Sequence, residues 1–293
     1  MAQNIREIRY GDKDYPKALR EIPFPPKKIS VWSKNGELPK TKHYLSVVGT
    51  RRYSAYGEEI LRKIIAGLAG HDFTIVSGMA TGIDTIAHKS ALENKIQTVA
   101  VLGSGISPTV LYPKQNLRMA EEIVSSGGAV ISEYDYDMKA TLWSFPQRNR
   151  IISGLSRATL VVEAPEKSGS MITARFALDQ NRDILAIPNS VFSQNAYGTH
   201  KLIKQGAALI ESAEDVLRAY GIEVENAQLG GLTAKLDLSP EENKILEILI
   251  EPADIDTLIR KSKMASHTAQ AIIGLLEIRG IIKKIGNEYV KNI

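Results

Sequence analysis

Apolar residues recur along this chain at two spacings. From residue 44 onward, short runs rich in Val and Ile alternate with longer segments whose apolar positions fall at helical intervals. That alternation marks a parallel sheet, whose strands are buried on both faces by the helices that connect them. It predicts strands over 44–48, 73–76, 98–102, 129–132, 159–163 and 184–187, with a short edge at 208–210. Several runs end in a loop of small residues before the next helical segment: Gly49-Thr50, Ser77-Gly78, Gly103-Ser104-Gly105 and Lys167-Ser168-Gly169-Ser170. In a doubly wound α/β sheet such loops gather at the carboxyl ends of the strands, where ligands bind.

The pattern changes on either side of this main domain of residues 43–220. Residues 1–42 hold Pro16, Pro23, Pro25, Pro26 and Pro39, which break any long helix, while Tyr15 and Trp32 give the segment apolar surface. It is expected to be an arm packed on the main domain. Residues 221–238 contain Gly230-Gly231 and no strong period, and are expected to be a linker. Residues 239–293 then look like a separate module. Ser239 caps a helix that begins at Pro240 and runs through Ile245, Leu246 and Leu249, with Glu242 at capping-box spacing. Helices over 256–261 and 266–279 follow, then a hairpin with its turn at Gly286-Asn287. Three helices and a hairpin in that order make a small winged-helix domain.

Composition narrows the chemistry. With 293 residues, 43% hydrophobic and 24% charged, the chain can bury a full core and a second small one. A net charge of +4 points to a basic patch on one face and permits a polyanionic partner. The absence of cysteine removes disulfides, thiolate zinc sites and cysteine nucleophiles, and fits a reducing compartment. His43, His71, His88, His200 and His267 show no metal-ligand spacing, so they are expected to be surface or capping residues, and neither metal nor cofactor is expected. The first residues are followed by charges and no long apolar run, so the protein is expected to be cytoplasmic, with neither a signal peptide nor a membrane span.

The informative stretch is Phe145-Pro146-Gln147-Arg148-Asn149-Arg150, followed by Lys167-Ser168-Gly169-Ser170 at the expected start of a helix. Amides at a helix start lack intrahelical acceptors and carry the positive end of the helix dipole, so Ser168, Gly169 and Ser170 suit an anion. Arg148 and Arg150 offer planar donors that grip phosphate oxygens in pairs. Arg51 and Arg52 occupy the first strand-to-helix turn, where a dinucleotide-binding sheet would need glycines. Phe145, Trp143 and Tyr134 lie near these cations, and rings beside cations suit single-stranded nucleic acid, although core packing is the default for any one ring and only for Phe145 do the two uses weigh equally. Asp84 is expected to cap the following helix. There is no Gly-Lys dipeptide and hence no P-loop, and neither H-E-x-x-H nor G-x-S-x-G occurs. Glu133, Asp135, Asp137 and Glu163 pair with no nucleophile in sequence and are expected to be solvated. In the terminal module acids balance bases, and Ser266, His267, Thr268 and Gln270 offer little for reading base edges.

Taken in order, these motifs resemble the bacterial DNA-processing protein A (DprA, also Smf) family over nearly the whole chain. The matching residues are Gly49-Thr50-Arg51-Arg52 to Tyr56-Gly57, Ser77-Gly78 to Gly82-Ile83-Asp84, and Gly103-Ser104-Gly105 with Tyr112-Pro113. Phe145-Pro146 with Arg148-Asn149-Arg150-Ile151, Ser168-Gly169-Ser170 with Thr173, and Leu202-Ile203 to Gly206-Ala207 complete them. The resemblance implies an extended Rossmann-like, doubly wound, mostly parallel sheet followed by a winged helix. It implies a non-enzymatic homodimer that binds single-stranded DNA and helps load the RecA recombinase in natural transformation and recombination. It carries a DNA pocket over to Arg51, Arg148, Asn149, Arg150, Ser168, Gly169 and Ser170. Charge and position add Arg52 and Lys167, and Phe145 and Thr173 complete the candidate set. Many relatives open with a helical SAM-like domain, for which residues 1–42 are too short and proline-rich, and Thr81, Asn189 and His200 stand where the family often has Arg, Gly and Asn. Two rival readings remain: a phosphoribohydrolase-like nucleotide enzyme, whose P-G-G-x-G-T motif is absent here, and a winged-helix transcriptional regulator.

Overall fold

Every residue of the runs Phe73–Ser77, Ala129–Ser132 and Ala158–Val161 is buried, which a strand achieves only when helices cover both faces of its sheet. The computed structural model describes residues 4–223, 238–286 and 288–291. In chain order the first unit contains β1 (Ile5–Arg9), α1 (Lys17–Arg20), β2 (Lys28–Trp32), β3 (His43–Val48), α2 (Ala55–Gly67), β4 (Phe73–Ser77), α3 (Ile83–Glu93) and β5 (Gln97–Val101). It continues with α4 (Leu117–Ser125), β6 (Ala129–Ser132), α5 (Ser144–Leu155), β7 (Ala158–Val161), α6 (Gly169–Asp179), β8 (Asp183–Ala186), α7 (Tyr197–Lys204), β9 (Ala208–Leu209) and α8 (Ala213–Ala219). The strands form one sheet in the order β1-β2-β6-β5-β4-β3-β7-β8-β9. The seven strands from β3 to β9 run parallel. Alternate side chains go to opposite faces: Val99, Val101 and Ile131 pack with Leu19, Ile152 and Ala174, while Ala100 and Val130 pack with Met119, Ala120 and Ile123.

The amino-terminal residues are an edge of this sheet. β1 and β2 pair antiparallel, and β2 pairs antiparallel with β6, so that Ile29 and Val31 enter the core. Pro23, Pro25 and Pro26 fall in the connection between α1 and β2, outside the paired residues. The prolines that break a helix therefore leave the strands intact.

Strand order also locates the ligand crevice. β3 and β7 are neighbours, with Leu45 beside Ala158 and Val48 beside Val161. From β3 the chain winds outward through β4, β5 and β6, and from β7 it winds the other way through β8 and β9. Loops leaving β3 and β7 consequently part from one another, which opens a crevice at their carboxyl ends.

The chain divides into two compact units, the first ending at Glu223. The second contains α9 (Pro240–Ile248), β10 (Ala253–Asp254), α10 (Ile255–Ser262), α11 (Ser266–Ile278), β11 (Ile282–Ile285) and β12 (Glu288–Lys291). Ser239 and Glu242 form the capping box expected for α9, and Ile245, Leu246, Leu258, Ile273 and Leu276 make the core. The wing is β11 and β12, with β10 added as a third antiparallel strand that the sequence pattern did not show. Of the expected linker, residues 224–237 lie outside the described residues, as does Asn287 of the expected hairpin turn.

Candidate nucleic-acid interface

At the β3–β7 switch point lies a cleft of about 410 Å³. One wall is the turn after β3, with Gly49, Thr50 and Arg51; another is the start of α6, from Lys167 to Thr173; the first half of α5 supplies Phe145, Pro146, Arg148 and Asn149. Nine of the candidate residues therefore meet here: Arg51, Phe145, Arg148, Asn149, Lys167, Ser168, Gly169, Ser170 and Thr173. Arg52 and Arg150 do not line it. Arg52 is exposed, and its backbone carbonyl accepts a hydrogen bond from Asn195 Nδ2 at 2.9 Å.

Each wall is held from behind. Gly82 adopts φ +89°, and a Cβ there would lie 2.5 Å from the Thr50 carbonyl oxygen and 2.6 Å from Arg51 Cα, so only glycine lets the loop after β4 support the Arg51 turn. Arg51 is exposed, and its guanidinium lies 5.9 Å from the centre of the half-buried Phe145 ring. On α6, Ser168 is the N-cap and accepts from the Ser170 amide. Gly169, the first helical residue, is exposed, and a Cβ added to it would meet nothing within 4 Å. Among the described residues no acceptor takes its N–H. Asn149 joins the two helices, donating from Nδ2 to the Gly169 carbonyl at 3.3 Å.

The paired arginines separate, because α5 is a helix where the sequence reading had none. Residues two apart on a helix point roughly 200° apart around its axis. Arg148 turns inward to the floor of the cleft, where Nη1 donates to the Gly78 carbonyl at 2.6 Å and to the Val101 carbonyl, and Nε donates to Asn149 Oδ1 at 3.2 Å. Burial pushes its pKa down to about 10, with Asp84 opposing the shift, so it remains a cation at neutral pH. Arg150 leaves the cleft altogether. Its guanidinium meets both Glu133 oxygens at 2.6 Å and donates to the Phe24 carbonyl at 2.9 Å and the Gln147 carbonyl at 3.0 Å. Four of its five N–H donors are engaged and its charge is neutralised by Glu133, which withdraws it from any bidentate grip on phosphate.

Two carboxylates expected in solvent are structural. Glu133 is the partner of Arg150, and Glu163 is fully buried at the end of β7. Glu163 accepts from the Ser54 amide at 2.9 Å, Ser54 Oγ at 2.6 Å, Asn189 Nδ2 at 3.0 Å and Asn195 Nδ2 at 3.3 Å. It thus ties the start of α2 to the loop after β8. Asp84 does not cap α3; it sits in the first turn and reaches back to accept from the Gly78 and Ala80 amides. Burial raises its pKa and the neighbouring Arg148 pulls it back. His88 is also buried, against expectation, between α3 and β5, with its pKa lowered to about 3 by desolvation and then by Arg148. Of the aromatics near the cations, Tyr134 is buried and donates to the Ser144 carbonyl, whereas Trp143 is 56% exposed. Sequence reasoning missed Leu142 and Ile172, which line the cleft as exposed apolar residues, since either reads as core in a linear pattern. Among the described residues no group of His, Asp and Glu could hold a metal ion, and no helix is long and apolar enough to cross a membrane.

The family model described as DNA recombination-mediator protein A matches residues 6–221. The chain belongs to this family. Protein Smf of Synechocystis sp. is 36% identical over 320 aligned residues, covering 96% of this chain and 79% of that protein. The X-ray structure of DNA processing protein A from Streptococcus pneumoniae matches with a TM-score of 0.68 at 40% identity, covering 74% of each chain. DNA processing protein A from Helicobacter pylori, whose structure gives insights into its unique single-stranded DNA binding mode, matches with a TM-score of 0.65 at 28% identity, over 75% of this chain and 96% of that one. Neither rival reading, the nucleotide-cleaving enzyme or the transcriptional regulator, gains support from these relatives.

Proposed function

We propose that this protein binds single-stranded DNA without regard to sequence in the cleft at the β3–β7 switch point. As a cytoplasmic homodimer, it would help load the RecA recombinase onto that strand in natural transformation and recombination. The observation that carries the reading is the juxtaposition of two exposed cations, Arg51 and Lys167, with the uncapped Gly169 amide and the half-buried Phe145 ring. Among the described residues neither Arg51 nor Lys167 has an ion-pair partner, so both are available to phosphate. Phe145 offers a face to a base, and stacking accepts any base. Both ends of the Asn149 amide are occupied by protein, Oδ1 by Arg148 and Nδ2 by the Gly169 carbonyl, which removes one reader of base edges and supports sequence independence. Two such clefts in a homodimer would raise avidity by holding the strand at high effective concentration.

The test is a fluorescence-anisotropy titration of labelled oligothymidylate at several salt concentrations, comparing the natural chain with Arg51→Ala/Lys167→Ala. Each phosphate contact on a single strand contributes about 0.7 to the slope of log K against log salt, so the double variant should flatten it by about 1.4. An unchanged slope and affinity would remove DNA from this cleft. Sedimentation of the protein alone and with RecA tests the dimer and the partner.

A further inference from the structure

The cleft does not end at Lys167. Pro165 and Lys167 also line a second groove, of about 1090 Å³, whose far wall is the loop after β8 and the start of α7. Val191, Phe192 and Tyr197 line it at 79%, 94% and 51% exposure, so a nearly naked phenyl ring and a second ring flank one channel. Tyr197, Lys201 and Lys204 share one face of α7, at spacings of four and seven. Among the described residues neither lysine has an ion-pair partner, and Glu166 is the one carboxylate in the lining.

The exposure of Phe192 belongs to a backbone that is held in place. The Ser193 amide donates to the Ser190 carbonyl at 2.9 Å, and the Ala164 amide donates to the Asn195 carbonyl at 2.8 Å. Asn189 and Asn195 both donate to the buried Glu163. A ring presented to water from an anchored loop, between lysines and beside an anion cleft, is the combination that single strands use: rings for bases, ammonium groups for phosphates.

We infer that a single strand leaving the cleft past Lys167 continues along this groove, with bases against Phe192 and Tyr197 and phosphates against Lys201 and Lys204. The inference rests on the single-strand reading above and extends the footprint beyond the cleft. Continuity through Lys167 and the excess of lysine over carboxylate favour nucleic acid over a protein partner.

The experiment measures affinity of the full chain for oligothymidylates of about 5 and about 25 nucleotides, the short one spanning the cleft alone. Phe192→Ala and Lys201→Ala/Lys204→Ala should leave the short oligomer unaffected. Each should weaken the long one roughly tenfold, and the double-lysine variant should flatten its salt slope by about 1.4. Phe192→Trp, which keeps a stacking face, should restore long-strand affinity, and circular dichroism should match the natural chain throughout. If the long oligomer binds all groove variants as tightly as the natural chain while Arg51→Ala loses the short one, the path is refuted and the cleft survives. If Arg51→Ala loses neither oligomer, the cleft reading itself fails and takes the path with it. Loss of RecA binding with unchanged DNA binding in the groove variants would make the groove a protein surface and overturn the path.

Discussion

Replacing Arg150 by Ala separates the two arginines that sequence places side by side. The Arg150 and Glu133 side chains are 12% and 13% exposed and joined by two hydrogen bonds of 2.6 Å. Truncation leaves Glu133 half-buried without its counter-ion and frees the Phe24 carbonyl of the connection between α1 and β2. Breaking a buried ion pair costs about 3–5 kcal/mol, and the residual water contact here places the expected loss near the lower end, about 3 kcal/mol. Both tryptophans, Trp32 and Trp143, lie in the first unit, so their fluorescence reports its unfolding in urea without a signal from the second. With a denaturant slope of about 2–3 kcal/mol/M, the midpoint should fall by about 1 M. The matched apolar pair Arg150→Met/Glu133→Leu should recover most of that loss, because the cost lies in the orphaned charge more than in the missing attraction. Single-strand affinity and its salt slope should be those of the natural chain. A midpoint within about 0.3 M of the natural one, together with a salt slope flattened by about 0.7, would place Arg150 on the DNA and refute the ion-pair assignment.

Three further outcomes follow, two from buried groups and one from a helix cap. Thr98 Oγ1 donates to the Ile75 carbonyl and so accepts from His88 Nδ1–H, which leaves Nε2 buried without a partner. The folded pKa of about 3 lies below the unfolded value of about 6.5, so stability is full above pH 6.5 and is lost by about 1.4 kcal/mol per unit as pH falls toward 3. Unfolding free energies from urea titrations at pH 7 and pH 5 should therefore diverge in the natural chain by about 2 kcal/mol more than in His88→Leu, and equal pH dependence would contradict a neutral buried ring. Glu163→Gln keeps the shape but turns an NH2 toward two of the donors that the carboxylate accepts, and should cost about 3 kcal/mol by the same fluorescence measurement, whereas an unaltered midpoint would deny the hub. In the second unit, Ser239→Ala removes the α9 cap and should cost about 1 kcal/mol, read as roughly fivefold faster hydrogen exchange at the Glu242 amide; unchanged protection would mean the cap contributes nothing.

The sheet was legible because its strands announce themselves as unbroken apolar runs: each expected strand of the parallel set falls within two residues of an observed one. β1 and β2 were not, since an edge pair exposes one side and its residues mix charge with Ile and Val. For the site, residue types gave the membership of the cleft but not the direction of side chains. Arg148 and Arg150 look equivalent until a helix is placed under them, and Pro146 in the first turn with Ile151, Ile152 and Leu155 on the inner face was the signal that could have placed it. Glu163 and His88 were misread for a different reason. A buried polar residue is specified by partners that arrive from elsewhere in the chain, for Glu163 residues 54, 189 and 195, and no local pattern encodes them.

The division between Arg148 and Arg51 explains why several separate motifs occur together. A Cβ on Gly78 would lie 2.6 Å from the Arg148 guanidinium, so the Ser77-Gly78 turn is glycine because that cation passes beneath it to reach carbonyls at the ends of β4 and β5. Asp84 then fixes the same turn by accepting its amides, and Gly82 brings the turn against the backbone of Arg51. Arg148 thus commits Nη1 and Nε to protein oxygens and sets the shape of the floor, while Arg51 and Lys167 stay free of ion pairs at the rim. A site for a compact nucleotide would need fixed donors converging on one phosphate; an immobile floor under exposed, unpaired cations suits a flexible polyanion whose phosphates need not occupy one geometry.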